Sequence, residues 1–375
     1  MLQKILRFKW EALFLLVVCI LSWYYSYHEI LFFHPSSMDI WRQSDCTSIA
    51  FNYYQNDMNF FLPKLHHCLN QEGYAAGECP LIYYFVAILY KIFGVNEYLF
   101  RLTNLVIFVF GLLALYKITL IILGDRFYAF FIPLLLFSCP LIAFYANNFL
   151  TDVPSLSFTF MAWLQILKYK KDQKRSNFIW SMIFFALAIL LKANSAISFI
   201  ALAAIAFIEL NNWNEFNIDK KIFNRILLTI IGFTSVLIVV YAWYKWTIVF
   251  NEEHRTDYFA KQAWPWWPIW ALSDEDLVKT VVSIFYNFND LFNIFTTAIF
   301  FFSLVFILLN RRYLSHFLLA IFVLLLTGSI MFFSYFFVGF KNQVYYYINL
   351  MILPVFSFIC TLYILKERYG KVYAS

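Results

Sequence analysis

Charge is what this sequence has least of: Asp, Glu, Lys and Arg make up 13% of 375 residues, while apolar types reach 63%. A soluble domain runs about 25% charged and about 45–50% apolar. A chain of this length could bury a good core without that excess, so the surplus reads as lipid-facing surface. The mean hydropathy of +0.69 agrees. The apolar runs lack the alternation of a barrel strand, which leaves the helix as the spanning element. No CxxC pair or paired metal-ligand spacing is present, which argues against a structural zinc site. No internal repeat of the kind common in transporters is visible, and neither a low-complexity tract nor a soluble domain at either end. The chain reads as one membrane domain over 1–375. Nothing in it points to nucleic acid.

Runs such as Ala12–Tyr27 and Arg225–Phe250 approach or exceed the roughly 20 residues that a bilayer crossing needs. Ten spans are expected, near 10–27, 100–123, 126–145, 152–168, 177–191, 195–210, 225–248, 290–309, 314–337 and 344–365. With the N-terminus inside, Lys4, Arg7, Lys9, Arg126, Lys168 to Arg175, Lys220, Lys221, Arg311, Arg312, Lys366 and Arg368 all fall on one side. This is the positive-inside pattern, so both termini are expected in the cytoplasm. The first apolar run ends in Ser22-Trp23-Tyr24-Tyr25 rather than a small-residue cleavage site, and is expected to stay as a signal anchor.

Two outer segments are long, 28–99 and 251–290. In the first, Ile40–Tyr54 has apolar residues at roughly helical spacing and is expected to lie on the membrane as an amphipathic helix. Pro80–Phe93 is apolar but too short to span, with Gly94 as its C-cap. In the second, AWPWWPIW at 263–270 combines helix-breaking prolines with an aromatic patch suited to the interface. Of six cysteines, Cys46, Cys68 and Cys79 fall in the first outer segment. An oxidising compartment would permit one disulfide, Cys68–Cys79 being one pairing, but spacing does not fix the connectivity.

The candidate chemistry lies on the outer side. In WRQSD at 41–45, Arg42 and Asp45 share a helix face and could form a plain surface ion pair. Glu78 in GECP could simply complement a helix dipole. In NNFLTDVP at 147–154, Thr151 or Asp152 could be an N-cap. Lys341 could be a snorkelling lysine. The combination argues for more. Three carboxylates at membrane level on one face are expensive unless used or paired, and suit a general base beside a group that orients an acceptor or binds a cation. Lys192, Arg101, Arg255 and Lys341 map to the same face, where cations suit an anionic lipid phosphate. His66 and His67 are neighbours that do not point at one site and make a poor metal pair. A divalent cation held by one carboxylate, a histidine and water remains open, and no cofactor is required.

These elements, in order, resemble the GT-C fold glycosyltransferases, in particular the bacterial branch that groups with protein O-mannosyltransferases and the lipid A aminoarabinose transferase. WRQSD, GECPLIYYFVAILYKIFG, RLTNL at 101–105, NNFLTDVPSL, LLKANSA around Lys192 and the stretch from Lys341 to Pro354 carry the likeness. It covers the first 200 residues or so and is mainly topological beyond. The resemblance implies a transferase that moves a sugar from a polyprenyl-phosphate donor to a lipid, glycan or protein acceptor, usually with inversion. It implies Asp45 as the base, with Glu78 and Asp152 positioning the acceptor or assisting at the anomeric carbon. Lys192, Arg255, Lys341 and Arg101 are the expected donor-phosphate ligands, and Arg42, Tyr345 and Tyr346 the expected substrate contacts. The site would face the periplasm or exterior of a bacterial cytoplasmic membrane. The family's second outer acid often sits in a paired acidic motif, whereas here Asp152 follows Asn147 and Asn148. With no soluble domain visible, an en bloc oligosaccharyltransferase is disfavoured. Two other function classes compete. A flippase or transporter of a lipid-linked sugar should carry charges in mid-span and show a repeat. An assembly or anchoring subunit would not need three carboxylates on one face.

Overall fold

The computed structural model describes residues 2–56, 58–66, 72–211, 213, 221–256 and 268–373. Apart from an isolated antiparallel bridge between Lys64 and Tyr74, the regular structure among the described residues is helical. The chain starts with α1 (Leu2–Tyr24), the short α2 (Tyr27–Ile30), α3 (Ile40–Gln55) and α4 (Leu81–Phe93). Then come α5 (Glu97–Leu123), α6 (Arg126–Phe137), α7 (Pro140–Ala146), α8 (Asp152–Asp172), α9 (Arg175–Leu191) and α10 (Ala196–Leu210). The remainder is α11 (Ile226–Glu253), α12 (Asp274–Leu291), α13 (Ile294–Leu309), α14 (His316–Tyr335), the short α15 (Gly339–Asn342) and α16 (Tyr346–Leu350), and α17 (Ile352–Tyr373).

Local chemistry explains several boundaries. The two surface helices expected in the first outer segment are α3 and α4. α4 stops at Gly94, whose φ of 81° is a conformation that favours glycine, and whose N–H donates back to the Tyr90 carbonyl at 3.0 Å. α5 opens on Asn96, whose side chain accepts from Tyr98 N–H at 3.1 Å. The span expected over 126–145 is instead bent by 76° between α6 and α7. Pro140 accounts for the break, because the residue before a proline is pushed out of the helical region, and Cys139 is extended there.

Among the described residues five helices are long and apolar enough to cross a membrane: Glu97–Leu123, Ala193–Leu210, Ile226–Glu253, His316–Tyr335 and Tyr346–Tyr369. The bent pair makes a sixth if it counts as one span. This is fewer than the ten expected. The other four segments are helical but fall outside that class. α9 and α13 have 17 and 16 residues. α8 has 21 residues but is polar in its first half. Its hydroxyls are absorbed inside the bundle: Ser157 donates to Val153 O at 2.8 Å and Thr159 to Ser155 O at 3.0 Å. α8 is the inner helix, packed between α5 and α9. At Gly111 of α5 an added Cβ would lie 2.5 Å from the Ser157 side chain and 2.8 Å from its Cα, so the two backbones meet where a small residue permits it. The protein is therefore a multi-pass helical membrane protein built around α8, and the N-terminus of that helix leads into the site.

Candidate active site

Four separate stretches of chain deliver charge to one buried place. α3 supplies Arg42 and Asp45, 3.7 Å apart on one helical face. The loop before α4 supplies Glu78, the start of α8 supplies Asp152, and the turn after α9 supplies Lys192. Arg42 Nη2 lies 2.6 Å from Glu78 Oε1, and Lys192 Nζ lies 2.9 Å from Glu78 Oε2 and 3.2 Å from Asp152 Oδ2. Glu78 thus stands between two cations, and Lys192 between two carboxylates. Thr151 donates to Glu78 at 3.3 Å and the Tyr83 hydroxyl also donates to it. Tyr345 places its ring 5.1 Å from Lys192 Nζ.

Burial alone would raise the Glu78 pKa, yet Arg42 and Lys192, with the Tyr83 hydroxyl, outweigh it and hold the carboxyl at about 2. Burial acts to lower the Lys192 pKa, and the Asp152 and Glu78 carboxylates raise it to about 12. Three carboxylates against two cations leave one negative charge on the cluster. Among the described residues no three His, Cys, Asp or Glu side chains converge closely enough to hold a metal ion. The Lys192 ammonium occupies the place between Glu78 and Asp152 that a bridging cation would take.

The surrounding backbone is fastened to hold these groups in place. Asn251 at the end of α11 exchanges two 2.8 Å hydrogen bonds with the backbone of Ala76, and Trp243 Nε1 donates to Gly77 O at 3.0 Å, which pins the loop just before Glu78. The loop before Asp152 is gripped by the RLTNL stretch. Arg101 donates to Asn147 O, and Asn104 to Asn148 O at 2.9 Å and Leu150 O at 3.1 Å. The turn that carries Lys192 is tied down by Asn349, which donates to Asn194 Oδ1 at 2.9 Å and accepts from Ser195 at 3.0 Å. Ser195 and Ser155 share a further hydroxyl contact.

Of the residues singled out from sequence, Arg42, Asp45, Glu78, Asp152, Lys192 and Tyr345 meet here. The others lie outside the cluster. Arg101 is buried and holds backbone carbonyls. Arg255 is exposed at the end of α11, and Lys341 is half-buried in α15, its carbonyl accepting from Asn287 at 2.9 Å. No ion pair joins any of these three to the cluster among the described residues. Tyr346 borders the cluster: its ring packs among Phe332, Phe336 and Phe340, and it lies within the field of Lys192, Asp152, Arg42 and Glu78. Tyr83, Asn251 and Asn349 were not singled out, and Thr151 was named only as an N-cap candidate. Only Tyr83 had a readable signal, five residues after Glu78 on the first turns of α4. Cys46 and Cys79 are buried thiols in no disulfide, while Cys68 and His67 lie outside the described residues, as does the AWPWW part of the aromatic patch.

Two apolar or polar hollows flank the cluster. One, of about 450 Å³, is a hydrophobic groove between α4, α5, α8 and α9 lined by Leu81, Leu89, Leu102, Phe110 and Leu191 among others. Leu81 follows Glu78 by three residues and Leu191 directly precedes Lys192. The other is a cavity of about 350 Å³ around Arg101 and Asn147, whose lining mixes polar side chains with Tyr25, Tyr27, Phe33 and Phe144.

Residues 77–251, the stretch that contains Glu78, Asp152 and Lys192, match the dolichyl-phosphate-mannose-protein mannosyltransferase family. No curated protein matches the chain. The fold is similar to the crystal structure of ArnT from Cupriavidus metallidurans in the apo state, with a TM-score of 0.60 and 14% identity over 98% of this chain. It is also similar to ArnT of the same organism bound to undecaprenyl phosphate, with a TM-score of 0.62 and 13% identity over 98% of this chain. In both cases the chain spans 62% of the length of the ArnT chain. The likeness to the mannosyltransferase family is therefore confined to residues 77–251, and the likeness to ArnT is one of fold over nearly the whole chain.

Proposed function

We propose that the protein is a membrane glycosyltransferase that moves a sugar from a polyprenyl-phosphate donor to a lipid, glycan or protein acceptor at the outer face of a bacterial cytoplasmic membrane. The observation that carries this reading is the convergence of Asp45, Glu78 and Asp152 with Arg42 and Lys192 in one buried cluster. Asp45 takes the proton of the acceptor hydroxyl. Its ion pair to Arg42 is the longest in the cluster, at 3.7 Å. The acceptor oxygen then bonds to the anomeric carbon as the bond from that carbon to the lipid phosphate oxygen breaks. Lys192 and Arg42 are the cations placed to take up the charge that develops on the leaving phosphate. Glu78 keeps both of them charged and in position before the donor arrives, and yields part of its contact to the phosphate when it does. Asp152 steadies Lys192 from the other side.

The donor class follows from the surroundings. A nucleotide sugar is not expected outside the cytoplasm, whereas a lipid-linked one can reach the outer leaflet. The groove lined by Leu81 and Leu191 is almost wholly apolar, and Leu191 directly precedes Lys192 in the chain, which suits an isoprenoid tail with its phosphate at the cluster. The clustering of charge at helix ends, and not in mid-span, favours a transferase over a transporter. The orientation, with the first outer segment away from the cytoplasm, rests on the distribution of Lys and Arg.

The test is transfer of labelled sugar from undecaprenyl-phosphate sugars by the purified chain in nanodiscs, set beside Asp45→Asn. A loss of at least about 100-fold is expected, the usual scale of a general base. Full activity in the variant would remove Asp45 from its role, and no transfer from any polyprenyl-phosphate sugar by the unaltered protein would remove the reading itself.

A further inference from the structure

The cavity around Arg101, of mixed polar and aromatic lining, is not explained by the transfer cluster. It lies among α2, α3, α5 and α7, and its lining includes Ser36, Gln43, Arg101, Asn147 and Asn148. Arg101 is 3% exposed, Asn147 2% and Gln43 fully buried. The guanidinium donates to three backbone carbonyls, those of Phe33, His34 and Asn147. A guanidinium has five N–H groups, so three bonds leave two. No carboxylate forms an ion pair with it among the described residues. The acid one turn earlier on α5, Glu97, acts on Arg101 only through its field and holds the His34 ring at 2.6 Å. The Phe149 ring, 4.2 Å from the guanidinium carbon, and the carbonyl oxygens ease the burial, but neither brings a full countercharge, and a buried cation is costly without one. The second observation is Asn147 Oδ1, which is buried and lacks a hydrogen-bond partner.

A site with a spare positive charge and a spare acceptor fits a ligand that brings a negative charge and a hydroxyl. The approach to the cavity says where such a ligand comes from. Trp23, Tyr24, Phe32 and Phe33 are 67%, 77%, 61% and 53% exposed around it, the aromatic dress of a headgroup zone. We infer that this cavity binds the phosphate of a hydroxyl-bearing lipid headgroup, at a site separate from the transfer cluster. Gln43 and Asp45 point to roughly opposite sides of α3, two residues and about 200° apart. The same helix therefore separates the two sites, and occupancy of one leaves the other open.

The test uses the whole chain in detergent, titrated by native mass spectrometry with short-chain phosphatidylglycerol, short-chain phosphatidylcholine or inorganic phosphate. Ser36 is exposed on the cavity lining, so Ser36→Glu brings a carboxylate to the mouth without disturbing the carbonyl clamp made by Arg101. Ser36→Lys controls for bulk. Phosphatidylglycerol is expected to bind at least tenfold more tightly than phosphatidylcholine, to weaken about tenfold in Ser36→Glu and to hold or strengthen in Ser36→Lys. Asp45→Asn should leave this binding unchanged. Inorganic phosphate binding with the same variant pattern, in the absence of any for phosphatidylglycerol, supports the phosphate site and assigns it to a soluble anion in place of a lipid. Binding that is equal for the two lipids, or indifferent to the charge at position 36, overturns the inference.

Discussion

Replacing Lys192 with methionine removes the ammonium that two buried carboxylates share and keeps most of the side-chain volume. In the intact cluster three negative charges face two positive ones, a net of −1; Lys192→Met makes it −2. At an effective dielectric constant of about 20, a unit pair at 2.9 Å or 3.2 Å is worth roughly 5–6 kcal/mol. Much of that offsets the cost of burying the lysine. Breaking a buried pair by deleting one partner typically costs about 3–5 kcal/mol, and on that scale the unfolding midpoint of the purified protein should fall by roughly 5–10 °C at pH 7. The pH dependence gives the sharper check. Glu78 keeps Arg42, but Asp152 loses its cation and can shed the repulsion by taking up a proton, so the deficit should shrink as pH falls from 7 towards 5. Adding Asp152→Asn restores the net charge to −1 and should recover part of the loss at neutral pH. Donor turnover should stay low in both variants, since the cation next to the phosphate is gone. Differential scanning fluorimetry over a pH series reads the first two effects. A variant as stable as the parent, or a deficit that does not change with pH, would refute the electrostatic account of this cluster.

Glu78 sets an acid limit. Its folded pKa, about 2, is depressed from 4.5, so the stability it contributes is complete above about 4.5 and is lost as pH falls towards 2; Glu78→Gln should flatten that part of the acid-unfolding curve. Lys192, raised to about 12, works in the other direction: its contribution is complete below about 10.5 and is lost as pH rises through 12, which an alkaline unfolding series compared with Lys192→Met measures. Asn251→Ala deletes both bonds to Ala76 and frees the loop that carries Glu78, at a cost of about 1–3 kcal/mol for groups left unpaired; protease sensitivity between residues 72 and 79 should rise in step with lost turnover. Gly111→Leu drives a side chain into Ser157 and its Cα; overpacking there should destabilise by at least about 1–3 kcal/mol, and a midpoint equal to the parent's would show that α5 and α8 are free to separate.

The helices expected over 40–54 and 80–93 could be read from the sequence, because short apolar runs closed by turn residues obey local rules. Gly94 ends α4 where the pattern puts it. The Arg42–Asp45 contact followed from helical spacing alone. What spacing cannot give is partnership across the chain. Glu78 looked as much like a dipole-neutralising residue as a site acid, and only folding brings Arg42 and Lys192 to it, from 36 residues before and 114 after. Likewise the charge pattern assigns Arg101, Arg255 and Lys341 to the same side as Lys192, but sidedness is a coarse coordinate. It does not say that Arg101 turns to the carbonyls of Phe33 and Asn147. Asn349 was invisible for the same reason: its role is a pair of hydrogen bonds to residues more than 150 positions away. The span count failed on composition. α8 is polar because it lies inside the bundle, where hydroxyls find backbone acceptors, and hydropathy measures fitness for lipid.

The fastening of the Glu78 loop to α11 has a mechanical side. Only 17% of the apolar window of α11 is buried in the protein, so most of this helix takes its bearings from lipid. A lipid-borne helix tilts to match the thickness of its bilayer. Asn251 and Trp243 carry any such tilt to Ala76 and Gly77, next to the acid that holds both site cations. If the proposed transfer holds, its rate in the reconstituted protein should therefore vary with the acyl-chain length of the bilayer, and Asn251→Ala should blunt that dependence: the bilayer around α11 would set the tension on the site.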